Sequence, residues 1–304
     1  IIDAPYCTGQ VAPNRKMIYL IALFLGLMLP AAYIYIRVLI RNKFDTVDEV
    51  RDAMPLSFLG TIPVKAHSKG EQETKTRPIV VRKNKNDLMA EAFRTLRTNL
   101  RFMQPKDVKC PVLLVTSSVN GEGKSYVATN LAISMTLLGK RVALVGLDVR
   151  KPTLATYMDL PNQGCLTSYI AEDAYTVDDL IVPSGINNLD VLPSGVVPPN
   201  PSELLQSEKL DQLFVELRQR YDYVIVDSAP VALVGDSYLL HRLVDMTIFV
   251  TRANYTTTEL IEFINQTHMQ QRLPKMVAVL NGVDAKKIGY GYGYGYGSAI
   301  KNKK

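Results

Sequence analysis

The 304-residue sequence predicts a doubly wound α/β domain with a mostly parallel sheet, preceded by one membrane-spanning helix. Three observations carry that prediction. Runs of Val, Ile and Leu alternate with helical patterns over most of the chain, a glycine-rich loop directly follows the first of these runs, and a long uncharged stretch lies near the start. Near-continuous apolar strands separated by helices indicate a sheet covered on both faces, the arrangement that parallel strands require.

From Met17 to Ile36 no side chain is charged, and these 20 residues meet the ~20 needed to cross a hydrocarbon core. Pro30 can kink such a span without forbidding it; a buried core helix is the alternative reading. Arg15 and Lys16 flank one end, and Arg37, Arg41 and Lys43 the other, so flanking charge orients the span only weakly. The chain starts with Ile1 rather than Met and shows no cleavable signal pattern, so a preceding segment is expected. Residues 17–40 read as the span. Residues 41–86 read as a juxtamembrane linker, in which one apolar patch, Leu56 to Gly60, precedes a polar run from Lys65 to Lys85. A helix is expected from about Asp87. At ~100° per residue, Leu88, Met89, Phe93, Leu96 and Leu100 share one side, and Glu91, Arg94 and Arg97 the other.

Downstream, strands are predicted over 112–116, 141–147, 189–192, 223–227, 246–251 and 277–281. After the first comes Gly121-Glu122-Gly123-Lys124-Ser125, then a helical pattern from Tyr126 to Leu138 with Gly139 as its stop. A Gly-rich turn between strand and helix directs backbone N–H groups and a helix N-terminus at a phosphate chain. Lys124 can reach the β and γ oxygens, and the Ser125 hydroxyl can hold Mg2+. Residues 121–126 are therefore the expected ATP-binding segment, a Walker A loop of the P-loop NTPases, although Ser118 stands where that motif has its first Gly. An ATP site here makes the C-terminal side of the span cytoplasmic. Two carboxylates end strands. Asp227 follows Tyr223-Val-Ile-Val, a position suited to a Mg2+ ligand. Asp148 follows Val142-Ala-Leu-Val-Gly-Leu and is a candidate for binding the metal or for orienting a phenol, a weak nucleophile with a pKa near 10. Arg150 can stabilise charge or form a structural ion pair. For both Asp residues the bland alternative is a loop cap.

The chain closes on Gly289 to Gly297, where Tyr290, Tyr292, Tyr294 and Tyr296 alternate strictly with Gly. Residues 288–304 are expected to be a tail with no packed core to join, each phenol a possible phosphoryl acceptor; a sticky or base-stacking segment is the alternative. Net charge is +6, from 35 Lys+Arg against 29 Asp+Glu. The excess gathers near the span and at Lys301, Lys303 and Lys304, which favours an anionic inner leaflet over nucleic acid. Cys7, Cys110 and Cys165 have neither metal-ligand spacing nor an even-numbered disulfide framework, which fits a reduced setting for the main domain.

Taken in order, Pro13, Phe58-Leu-Gly60 with Ile62-Pro63, Glu91-x-x-Arg94-x-x-Arg97, Gly121 to Ser125, Asp148-x-Arg150, the loop from Leu192 to Leu205, Asp227 and the tyrosine cluster form a recognisable series. It resembles the bacterial tyrosine kinases of the polysaccharide co-polymerase family across nearly the whole chain. The resemblance implies an ATP- and Mg2+-dependent protein-tyrosine kinase over residues 87–287, cytoplasmic and anchored in the bacterial inner membrane. It also implies that residues 1–16 are the end of an extracytoplasmic region. The tail of one copy would be phosphorylated by the next, and so regulate capsule or exopolysaccharide assembly. Catalytic roles are implied for Lys124, Asp148, Arg150 and Asp227, and metal contacts for Ser125, Asp148 and Asp227. Glu91, Arg94 and Arg97 are implied to build a ring of subunits, although by pattern alone they read as a solvated helix face with charge pairs. Polysaccharide assembly machinery and a tyrosine phosphatase are the other implied partners. One departure is visible: the family often carries D-x-D-x-R, and this chain has Gly146-Leu-Asp148-Val-Arg150. Two rival readings stand beside this one. A partitioning-type ATPase switch resembles K-G-G-x-G-K-[ST], but Val119 stands where its extra lysine would be. A non-catalytic co-polymerase scaffold draws on Gly146 alone.

Overall fold

The computed structural model describes residues 15–39, 42–44, 46–64, 79–81, 87–161, 165–172 and 174–285. The expected extracytoplasmic end before residue 15, most of the polar run and the tail with Tyr290, Tyr292, Tyr294 and Tyr296 lie outside them. The chain divides into two units, residues 1–42 and 43–304.

The first unit holds α1 (Arg15–Leu39), a 25-residue helix with Pro30 inside it. At ~1.5 Å per residue it runs about 37 Å, longer than the ~30 Å hydrocarbon core. Among the described residues it is the one helix long and apolar enough to cross a membrane. Leu20, Phe24, Leu27 and Leu29 are all about two-thirds exposed, and the helix is apolar all round, the pattern of a span rather than of an amphipathic surface helix.

The second unit is built on eight strands: β1 (Ser57–Pro63), β2 (Val112–Ser117), β3 (Val142–Leu147), β4 (Val182–Pro183), β5 (Leu189–Leu192), β6 (Tyr223–Ser228), β7 (Met246–Arg252) and β8 (Met276–Val283). They form one sheet in the order β1-β8-β7-β2-β6-β3-β5-β4. Every neighbouring pair is parallel except β4 with β5. The helices are α2 (Val47–Ala53), α3 (Leu88–Met103), α4 (Lys124–Thr136), α5 (Leu154–Met158), α6 (Leu166–Ala171), α7 (Val177–Leu180), α8 (Pro201–Leu205), α9 (Glu208–Arg220), α10 (Asp236–Leu239) and α11 (Thr258–Met269). This is the doubly wound α/β fold that the apolar runs predicted.

Successive strand residues face opposite sides. Val112 and Leu114 enter a core with Leu213, Leu217, Ile261 and Ile264 from α9 and α11. Leu113 and Val115 enter another with Phe93, Leu96 and Leu100 from α3 and Leu131 from α4. Every residue of α4 from Val127 to Thr136 is buried, because α3 covers the side that the sheet does not. Asp87 caps α3 by accepting from Ala90 N–H at 2.8 Å. Leu88, expected on its buried side, is half exposed in the first turn.

The linker reading of 41–86 is corrected in part. Thr46 and Glu49 close a capping box on α2, and Val50 and Met54 join the core. β1 adds a parallel edge strand, pairing with β8 from Ser57 opposite Val277 to Pro63 opposite Val283. Its burial depends on partners far along the chain: α3 closes over Gly60, where an added Cβ would meet Leu96 Cδ2 at 2.9 Å.

Candidate functional site

In open parallel sheets the ligand crevice lies at the C-terminal strand ends, where the winding reverses. Here that point is β2, between β7 and β6, and the loop 118–123 carries the chain from it into α4. Gly121 and Gly123 have φ of +90° and +104°, which L side chains rarely adopt. Ser118 is not among the positive-φ residues, so the backbone there has no need of Gly. That accounts for the departure from the Walker A pattern.

Lys124 begins α4, its Nζ 3.1 Å from Asp148 Oδ2, with both side chains nearly buried. Asp148 Oδ1 accepts from Lys151 N–H at 3.0 Å. Its Oδ2 has no directed hydrogen bond, so the link to Lys124 is ionic. Asp227 is 1 % exposed near the end of β6. Burial pushes its carboxyl up to about 6 and Asp148 adds to the rise, while Lys124 and a hydrogen bond from Ser125 oppose it. Asp227 Oδ1 has no hydrogen-bond partner. Beside the Ser125 hydroxyl, that orphaned oxygen suits Mg2+, which takes hard oxygen ligands and completes its shell with phosphate and water. Among the described residues no three His, Cys, Asp or Glu form a closed metal cage, and a phosphate-bound Mg2+ needs none.

Gly146 lies opposite Asp227 in the β3–β6 ladder. A Cβ there would sit 3.3 Å from Leu154 Cδ2 and from Ser194 N, so α5 and the loop after β5 close over the position of the missing carboxylate. Arg150 forms a two-point ion pair with the buried Asp236, Nε to Oδ2 at 2.6 Å and Nη2 to Oδ1 at 3.1 Å. Ser202 Oγ donates to the same carboxylate at 3.0 Å. This ion pair ties the turn after β3 to α8 and α10.

Within the 121–126 segment, two side chains turn away from the phosphate side. The buried Glu122 accepts from Val119 N–H at 2.9 Å and from Thr256 Oγ1 at 2.5 Å. Burial raises its pKa and these bonds, with others from Ser118 and Ser117, oppose the rise. The Tyr126 ring meets Phe93 edge-on, centroids 5.6 Å apart, and burial raises its phenol pKa. Their side chains hold the loop and α4 in place, which leaves their backbone amides for the expected phosphate contact. Tyr157, which the sequence did not single out, packs beside them, its phenol pKa raised by burial and then by Tyr126 and Asp227. Away from the site, Glu91 pairs with Arg94 at 2.8 Å, and Arg97 Nη1 donates to Ser134 O at 2.6 Å within the same chain. Asp236, Arg252, Tyr255, Thr256 and Asn281 also reach the site's edge unannounced. For Arg252 and Asn281 the one available signal was position just past or at the C-terminal end of a predicted strand; Tyr255 and Thr256 lie four and five residues past one, and Asp236 nine.

Residues 112–276 match the family described as AAA domain. The chain is 31 % identical over 296 residues to the tyrosine-protein kinase wzc of Salmonella typhi, covering 93 % of this chain and 40 % of that protein. It is 34 % identical over 206 residues to the tyrosine-protein kinase YwqD of Bacillus subtilis, covering 68 % and 86 %. Among solved structures, the kinase domain of the Escherichia coli tyrosine kinase ETK aligns with TM-score 0.67 and 28 % identity, over 79 % of this chain and 95 % of that one. The chain therefore spans less than half of the first relative and most of the second. The loop, the carboxylates that face it and these likenesses agree: the chain belongs to the bacterial tyrosine-protein kinase family.

Proposed function

We propose that this chain is a membrane-anchored protein-tyrosine kinase that transfers the γ-phosphoryl group of ATP to Tyr290, Tyr292, Tyr294 and Tyr296 of a neighbouring copy. The observation that carries the reading is the convergence of Lys124, Asp148 and the orphaned Asp227 on one phosphate-binding loop. The amides of 121–125 and the Lys124 ammonium hold the phosphates, while Ser125 and Asp227 hold Mg2+. The metal supplies charge neutralisation at the phosphoryl oxygens. Asp148 is then the carboxylate available to orient a phenol and take its proton. α1 anchors the chain in the bacterial inner membrane with this site in the cytoplasm, where ATP is. Copies associate through Glu91, Arg94 and Arg97, and Arg97 also ties α3 to α4 through Ser134 O. The family resemblance supplies the setting, capsule or exopolysaccharide assembly with a phosphatase that resets the tail.

Transfer between copies is a separate claim. β8 ends on the same edge as the loop, and Tyr290 lies nine residues beyond Asn281. Nine extended residues reach at most roughly 32 Å, so chain length permits transfer within a copy too. The test is phosphotyrosine mass spectrometry after incubation with Mg-ATP. It compares wild type, Lys124→Met, and a mixture of Lys124→Met with a chain whose four tail tyrosines are Phe. Phosphate on the Lys124→Met tail only in the mixture establishes transfer between copies. A labelled wild-type tail with an unlabelled mixture indicates transfer within one copy. ATP hydrolysis without any phosphotyrosine supports the partitioning-type switch. Neither reaction would leave the scaffold, the reading that Gly146 favours.

A further inference from the structure

Three consecutive carbonyls of the phosphate-binding loop are gripped from outside the loop. Tyr255 Oη donates to Asn120 O at 2.8 Å, Arg252 Nη1 to Gly121 O at 2.7 Å, and Asn281 Nδ2 to Glu122 O at 2.9 Å. Arg252 ends β7, Tyr255 lies in the turn that follows, and Asn281 is in β8. In a trans peptide the C=O of one residue and the N–H of the next point in opposite directions within one rigid plane. Fixing these carbonyls toward β7 and β8 therefore turns the N–H groups of Gly121, Glu122 and Gly123 the other way. Those are the donors a phosphate chain needs.

The loop requires such a device. Gly121 and Gly123 carry positive φ, and glycine has the freest backbone, so the loop unaided would populate many peptide orientations. The grip is also why only glycine fits. A Cβ on Gly121 would stand 2.9 Å from Tyr255 Oη, and one on Gly123 2.2 Å from Asn281 Nδ2. The gripping turn is itself held. Thr256 Oγ1 accepts from Arg252 N–H at 2.8 Å and donates to Glu122 at 2.5 Å. Asn254 N–H donates to Phe44 O at 2.6 Å, and the Arg252 guanidinium lies over the Tyr255 ring, 5.4 Å from its centroid.

We propose that Arg252, Tyr255 and Asn281 are positioning residues that preset the loop amides for the nucleotide's phosphates, acting through the carbonyls of Asn120, Gly121 and Glu122. The inference rests on reading the loop as a nucleotide site. The test uses the full chain in detergent micelles, as Tyr255→Phe, Arg252→Met, Arg252→Lys, Asn281→Ala and the Tyr255→Phe/Arg252→Met pair. Mg-ADP affinity is measured by calorimetry, kcat and KM for ATP by phosphotyrosine formation, and Tm with and without nucleotide. Each single loss is expected to weaken Mg-ADP binding about three- to ten-fold, the value of one hydrogen bond, with KM rising more than kcat falls. Arg252→Lys should recover part of the Arg252→Met loss. The Tm without nucleotide should stay within a few degrees while the nucleotide-induced rise shrinks. Wild type that binds Mg-ADP while the paired variant binds equally well overturns this inference alone. A Tm that drops equally with and without nucleotide also overturns it, by assigning the three side chains to folding. A wild type that binds no nucleotide overturns this inference and the kinase reading together.

Discussion

Glu122 and Asp227 are both buried carboxylates at the same edge of the sheet, 0 % and 1 % exposed, and burial raises the pKa of both. They differ in what meets their oxygens. Both oxygens of Glu122 are met, Oε2 by Val119 N–H and Oε1 by the Thr256 hydroxyl. Asp227 has Ser125 and an oxygen with no partner. Burial alone therefore does not mark the functional group. The first carboxylate is part of the loop's scaffold; the second keeps an oxygen without a hydrogen-bond partner, which the proposed function gives to Mg2+.

The largest expected effect separates them directly. Asp227→Asn should lower tail phosphorylation on the order of 1,000-fold, the scale of losing a preorganised charge in phosphoryl transfer. The same change should raise the Tm of the nucleotide-free chain at pH 8, because it removes an uncompensated buried charge; a lower Tm would show that the charge is already balanced. Glu122→Ala should do the reverse, destabilising the fold by about 2–4 kcal/mol as Val119 N–H and Thr256 Oγ1 lose their partner. Glu122→Gln should cost less and keep kcat within a few-fold. Denaturant unfolding paired with the kinase assay tells these outcomes apart.

The pH dependence sharpens the comparison further. Asp227 in the fold titrates about two units above its ordinary value, so between roughly pH 4 and 6 the folded chain holds a proton that the unfolded chain has released. Its stabilising effect is fully present below pH 4 and is lost as pH rises to 6, above which the charged group destabilises by up to about 3 kcal/mol. The stability difference between wild type and Asp227→Asn should follow that curve without nucleotide; a flat difference would refute the raised pKa. The smallest expected effect is Gly146→Asp. It puts a second carboxylate beside Asp227 and should raise that titration further, by like-charge repulsion. It should also cost about 1–3 kcal/mol as Leu154 gives way.

Much of the sheet was legible because parallel strands buried on both faces are written as unbroken apolar runs. All six predicted strands lie within two residues of the observed ones at each end. β1 was not legible. It is seven residues long, lies at the sheet edge, and is stabilised by β8 and α3, neither of which its own composition announces. The same limit applied at the site. Lys124, Ser125, Asp148 and Asp227 could be named because strand–loop–helix order and strand-end carboxylates are local patterns. The donors that hold the loop could not, since Arg252 and Asn281 meet it from more than 100 residues away in sequence.

By itself the sequence determined six of the eight strands and their order along the chain, the apolar span, the phosphate-binding loop and the tyrosine-rich tail, because each is encoded by neighbouring residues through period, turn chemistry or composition. Tertiary structure decided what each carboxylate does. Glu122 was turned inward, Asp227 was left with an open oxygen, and Arg150 was committed to Asp236. Whether a buried oxygen is satisfied depends on donors that only the folded sheet brings within hydrogen-bonding distance.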